Sequence, residues 1–161
     1  MLIKTKQELL ILESDKIAAR ERITEIEAEI IALGPEFYEA FNQTSETWHD
    51  NAPFEVVRDH QTLLAAERYT LREILSSSAI SIPKQKKGAV GIGSTVTLTD
   101  KKTNKSITYF VAGDWTPNAG LNTGLKIIVS RKSPIAEAFF GKKVGCEIKF
   151  RDRIFNLDKI E

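Results

Sequence analysis

The chain has 161 residues, 42% hydrophobic and 28% charged, enough for one ordinary domain or for a smaller domain carrying an extended appendage. No apolar run approaches the roughly 20 residues of a membrane span, and Met1-Leu2-Ile3-Lys4 passes at once into a charged pattern unlike a secretory signal. Cys146 is the only cysteine, which excludes an internal disulfide and a cysteine-based zinc site, so a cytoplasmic location with no membrane contact is expected.

The net charge of +1 conceals a segregation. Residues 1–80 carry 8 Lys+Arg against 15 Asp+Glu, a net of −7, while residues 81–161 carry 15 against 7, a net of +8. Two surfaces with different electrostatic tasks would produce this split, and so would a solvated acidic helix pair beside a basic domain.

Thr5-Lys6-Gln7-Glu8 has the capping-box pattern and predicts a helix start. From there Leu9, Leu12, Lys16, Ala19, Ile23, Ile26, Ile30, Leu33 and Phe37 recur at spacings of three and four, a narrow seam with Lys16 as its one charged member. Gly34-Pro35 predicts a kink, because Pro35 donates no hydrogen bond and crowds the carbonyl of Ile31. The rhythm fails around residues 45–51. Asn51 then offers an N-cap with Pro53 in the first turn, and Phe54, Val57, Gln61, Leu64, Arg68, Leu71 and Leu75 draw a second seam that ends at Ser76-Ser77-Ser78. Each seam is too narrow to be buried except against the other, so an antiparallel coiled-coil hairpin over residues 1–79 is expected, its tip near residues 45–51. A helix of some 40 residues would carry that tip roughly 60 Å from its base at about 1.5 Å per residue.

After a linker at residues 80–87 the period changes to alternation. Ser94-Thr95-Val96-Thr97-Leu98-Thr99, Ser106-Ile107-Thr108-Tyr109-Phe110-Val111 and residues 125–130 predict strands. Pro134 to Phe140 predicts a short helix capped by Ser133 and stopped by Gly141, and residues 146–151 and 153–160 complete the sheet. The expected class is α+β, with the hairpin followed by a small α+β domain at 88–161.

Ser133-Pro134-Ile135-Ala136, followed by Ala138 and Gly141-Lys142-Lys143-Val144-Gly145, resembles the signature of the C-terminal FKBP-like domain of the Gre family of transcript cleavage factors. Gly93-Ser94-Thr95-Val96-Thr97-Leu98 resembles that domain's first strand. Pro35-Glu36 matches a pair in the family's first helix, and Asn51-Ala52 with Phe54 and Arg58 resembles the start of its second. The resemblance implies a cytoplasmic, monomeric elongation factor, with DNA binding among its associations, that is not itself an enzyme. It would dock on RNA polymerase at the secondary channel through Ser133, Pro134, Ile135 and Ala136 and reach the nascent RNA 3′ end with its tip. No cofactor would be held stably; Mg²⁺ would be shared with the polymerase, whose cleavage of backtracked transcripts the tip stimulates, as suits a two-metal site with oxygen ligands.

The tip departs from the family's pattern of an Asp and a Glu three residues apart before the Asn that opens the second helix. Here it reads Ser45-Glu46-Thr47-Trp48-His49-Asp50-Asn51, so the carboxylate pair is Glu46 and Asp50. Three readings compete: a relaxed metal-binding pair, a channel-binding modulator or inhibitor without cleavage stimulation, or plain helix caps at Asp50 and Asn51. Trp48 either stacks on a base of the transcript or packs the hairpin end, where Phe41 and Phe54 are in reach, and His49 is a proton carrier only if the tip works chemically. Arg58 either touches RNA phosphate, as the resemblance implies, or pairs with Glu55 or Asp59. Two other classes stay in view: a coiled-coil adaptor for an unrelated partner, and a peptidyl-prolyl isomerase of FKBP type, since a shared fold does not carry function.

Overall fold

The computed structural model describes residues 8–42 and 52–161. The chain divides into two compact units, Ile17–Ser76 on one side and Met1–Lys16 with Ser77–Glu161 on the other. No described helix is long and apolar enough to cross a membrane.

The first unit is the hairpin of α1 (Glu13–Asn42) and α2 (Ala52–Ser76). The seams meet as the spacing requires. Ala19, Ile26, Leu33 and Ala40 of α1 and Leu64 and Leu71 of α2 are buried, with Ile23, Ile30, Phe37, Phe54, Val57 and Leu75 half-buried beside them. The pairing is antiparallel: Arg22, early in α1, reaches Glu67, late in α2, at 2.8 Å, while Phe37 and Phe54 meet edge to face at 5.6 Å near the other end. Glu27 accepts from Arg72 at 2.7 Å on the opposite flank of the seam. Such exposed ion pairs are worth about 0–1 kcal/mol each, whereas burying one Leu or Ile is worth about 1.5–3 kcal/mol. The seam therefore holds the hairpin and the charges set its register.

Two expectations change. Described residues 8–12 are extended, and α1 begins at Glu13; Thr5 lies outside the described residues. Leu9-Leu10-Ile11-Leu12 is an unbroken apolar run, which a one-sided helix cannot bury but an extended segment can. Leu9 donates to the Ser77 carbonyl and accepts from Ala79 N–H, both at 2.8 Å, while Leu10 N–H donates to Asp114 Oδ2 at 2.7 Å. The run thus adds to the second unit. At 30 residues, α1 is about 45 Å long at about 1.5 Å per residue. Pro35 also fails to interrupt α1. The Ile31 carbonyl loses its donor there, but Ile31 is 78% exposed, so water can satisfy it.

The second unit is a five-stranded sheet of β1 (Thr95–Asp100), β2 (Ser106–Ala112), β3 (Ile127–Ser130), β4 (Glu147–Phe150) and β5 (Arg153–Ile160), in the order β3-β2-β1-β5-β4. The β2–β3 pair is parallel, which forces the long connection through residues 113–126; the other pairs are antiparallel. Alternation on β1 buries Val96 and Leu98, and α3 (Pro134–Phe139) covers that face with Ala136 and Phe139 over Val111, Ile148 and Leu157.

Gly113 is where the extended N-terminal run crosses the sheet end. A Cβ there would stand 2.0 Å from the Leu10 carbonyl oxygen, a backbone atom that cannot swing away. We expect Gly113→Ala to destabilise the protein by about 1–3 kcal/mol in urea denaturation; an unchanged midpoint would show that residues 9–12 do not pack there in solution.

Candidate functional site

α3 is short because Pro134 can sit only in a first turn and Gly141, at φ 74°, ends the segment in a conformation glycine adopts without strain. Ser133 caps it, its hydroxyl accepting from Ala136 N–H at 3.4 Å. Pro134 is exposed, and Ile135 is half-buried at the edge of a cleft of about 400 Å³ shared with Ile107, Tyr109, Phe150, Arg151, Arg153 and Phe155. The strand period of two puts Ile107 and Tyr109 on one face of β2, and burial raises the Tyr109 phenol above its ordinary value. Arg151, at φ 54°, holds its guanidinium 5.2 Å from the centre of the Phe150 ring at the cleft rim. The cleft also has Asp152 in its lining, between Arg151 and Arg153, so its apolar floor meets charges of both signs, and no described group of three His, Cys, Asp or Glu could hold a metal. It can bind an apolar side chain or a packed segment of another protein.

Behind α3, Asp114 fixes the loop that leads into it. Its carboxylate accepts from Arg131 Nε at 2.5 Å and lies 3.6 Å from Lys132 Nζ, and Asp114 N–H returns a bond to the Leu10 carbonyl at 2.6 Å. Burial alone would raise this carboxyl, but Arg131, the Leu10 N–H and Lys132 together outweigh it and hold the group below the usual carboxylate range. Asp15 goes the other way: burial dominates the single bond from Thr116 at 3.2 Å, and its pKa is raised.

Of the residues singled out for docking, Pro134 is exposed, Ser133 and Ile135 are half-buried, and Ala136 is wholly buried and belongs to the core. Arg58 is 53% exposed and pairs with Asp59 at 3.1 Å. Glu46, Trp48, His49, Asp50 and Asn51 lie outside the described residues. Tyr109, Phe150 and Phe155 were not singled out as site residues. Their signal was present as bulky residues recurring on alternate strand positions, but that pattern reads equally as core.

Hairpin and sheet unit together define a class: a helical hairpin joined to a small α+β domain with a cleft beside α3. A family model described as "Transcription elongation factor, GreA/GreB, C-term" matches residues 84–153. Transcription elongation factor GreA of Vibrio parahaemolyticus is 31% identical over 146 residues, covering 86% of this chain and 89% of that protein. GreA of Cereibacter sphaeroides is 31% identical over 102 residues, covering 63% of this chain, which spans 64% of that relative's length. The solved structure of GreA factor homolog 1 of Thermus thermophilus covers 96% of this chain and 99% of its own at 19% identity, with a TM-score of 0.42. The chain belongs to the GreA/GreB family of transcription elongation factors.

Asp114 and Asp15 shape acid stability in opposite directions. Asp114 ionises more readily folded than at its unfolded value of about 3.9, so its contribution is complete above that value and is lost as pH falls through the lower folded one. Asp15 favours its neutral form, so its contribution is complete below the unfolded value and is lost as pH rises through the raised folded one. Asp114→Asn should flatten the loss of stability seen on acidification below about pH 4 and lower the melting temperature at neutral pH. A variant melting like the parent at both pH values would exclude the Asp114 anchor.

Proposed function

We propose that this chain is an elongation factor that binds RNA polymerase at the secondary channel and stimulates the polymerase's own cleavage of backtracked transcripts. The observation that carries this is the 31% identity to a named GreA over 86% of the chain, a span that takes in both units. An antiparallel hairpin of α1 and α2 supplies a slender element that can enter where a globular body cannot. The accessible residues beside the cleft, Pro134 and Ile135, are the docking contacts, and Glu46 and Asp50 contribute oxygen ligands to a Mg²⁺ held mainly by the polymerase. A metal supported in this way activates water against the phosphodiester, and the polymerase remains the nuclease. The partner in solution is the polymerase, with the nascent RNA 3′ end met only inside it, and the factor acts as a monomer.

One observation favours a second reading. The carboxylates stand four residues apart, Asp50 replaces the longer Glu, and Thr47 occupies the place of the expected Asp. A magnesium ion tolerates little error in its short oxygen distances. A factor with this tip can occupy the channel and modulate the polymerase without promoting cleavage.

A stalled, backtracked elongation complex mixed with the protein and Mg²⁺ separates the two. Short 3′ fragments appearing faster than in its absence support stimulation. Asp50→Ala and Glu46→Ala should then each cut the rate by about tenfold or more while polymerase binding persists. Binding without faster cleavage establishes the modulator, and absence of binding sinks both readings. Ile135→Ala should weaken binding to core polymerase by roughly tenfold, the equivalent of about 1.4 kcal/mol; equal affinity at an unchanged melting temperature would remove the cleft edge from the docking surface.

A further inference from the structure

The positive charge of the sheet unit is not spread evenly. Lys101 pairs with Glu147, Arg131 and Lys132 with Asp114, Arg153 with Asp100, and Lys159 with Glu161. Lys84, Lys86, Lys87, Lys142 and Lys143 are all exposed and have no ion pair among the described residues; Lys102, Lys105, Lys126 and Lys149 have none either but stand on other segments. No Asp or Glu occurs in residues 80–99 or 138–146, the two segments that carry them.

The fold brings these segments together and pins them. Val90 N–H donates to the Lys142 carbonyl at 2.8 Å, Gly141 N–H to the Val90 carbonyl at 2.9 Å, and Ala89 bridges to Lys143. Upstream, Gln85 clamps the backbone of Ile92 from both sides, accepting from its N–H at 2.5 Å and donating to its carbonyl at 2.9 Å. The Lys84 to Lys87 stretch is therefore anchored at its middle. Between the two segments lies a cleft of about 320 Å³ lined by Lys84, Gln85, Lys86, Val90, Phe140 and Gly141. Its rim is basic and its floor apolar, with one aromatic ring.

We propose that this lysine-rimmed cleft is a binding surface for single-stranded nucleic acid, taking phosphates on the lysines and a base against Phe140. Charge decides the sign of the ligand, since five like charges without a counter-ion on the protein are relieved by a polyanion that releases its own condensed ions. Chemistry decides its kind. Lysine offers point charges that follow a phosphate chain, and Arg131, 6.0 Å from the centre of the Phe140 ring, already spends its fork on Asp114, so an acidic polypeptide is the poorer fit. The apolar floor with an aromatic face suits unpaired bases, whose flat surfaces stack without regard to sequence. This inference is independent of polymerase docking, which uses the other side of α3's sequence, at Pro134 and Ile135.

The test is fluorescence anisotropy of labelled single-stranded RNA and DNA 12-mers with the full chain, from about 50 mM salt upward. Binding should fall with salt at a log–log slope near −3.5, about 0.7 for each of five lysines. The double charge reversal K142E/K143E should weaken binding at least tenfold and reduce the slope by about 1.4. Both residues are exposed, so the melting temperature should not move, and the less drastic K142Q/K143Q pair should weaken binding to a smaller extent. Lys102→Glu, at the far hairpin turn, should leave binding unchanged. No binding at the lowest salt overturns the proposal. So does binding indifferent to K142E/K143E, or polyglutamate binding as tight as the oligonucleotides, which would make the surface one for acidic polypeptides.

Discussion

One buried ammonium ties the start of the hairpin to its end. Lys16 sits in the seam at the base of α1, 5% exposed, and its Nζ donates to the Ala79 carbonyl at 2.8 Å and approaches that of Ile80 at 3.4 Å, with Glu13 at 3.4 Å on the solvent side. An unpaired charge there would cost several kcal/mol, so the segment after α2 must come to Lys16. Seven residues earlier, Leu9 exchanges backbone bonds with Ser77 and Ala79. Entry and exit of the hairpin are thus locked in one register. Within the hairpin itself, Leu64 and Leu71 against the α1 seam and the Arg22–Glu67 pair fix which residues face one another.

The same economy governs charge. Within the hairpin, Arg22, Arg68 and Arg72 are spent on Glu67, Glu29 and Glu27, which leaves Glu21, Glu36, Glu39 and Glu55 to face water. In the sheet unit Lys84, Lys86, Lys87, Lys142 and Lys143 lie on two segments that contain no acid, while Lys102, Lys105, Lys126 and Lys149 stand without ion pairs elsewhere among the described residues. An acidic helix surface disfavours phosphate chains and a basic cleft favours them.

Much of this was written plainly in the sequence. Strand alternation in β1 and β2, the Ser133-Pro134 start and Gly141 stop of α3, and the two seams all carry local signals whose period matches the element, and the elements follow them to within a residue or two. The misread positions have one cause. Leu9 and Leu12 fall on the seam's rhythm by spacing, but Leu10 and Ile11 fill the gaps, and only the sheet end around Gly113 and Asp114, a hundred residues away, shows what the run buries against. Ala136 was read as a contact residue because a motif does not say which of its members face inward; its complete burial follows from the α3 phase set by Phe139. The lysine cleft was legible only as net charge, since the bond from Val90 to Lys142 that assembles it joins segments fifty residues apart.

Helix boundaries bear on the chemistry of the tip. α1 ends at Asn42 and α2 begins at Ala52, so Glu46 stands four residues past one helix and Asp50 two before the other. Ordering each intervening residue costs about 1–2 kcal/mol, a cost two carboxylates in water do not recover, because magnesium sheds its own waters reluctantly. It is recoverable where a site already supplies most ligands and lacks one or two. On the function proposed above, Glu46 and Asp50 would complete a metal centre that the polymerase supplies, and the hairpin would carry them to it.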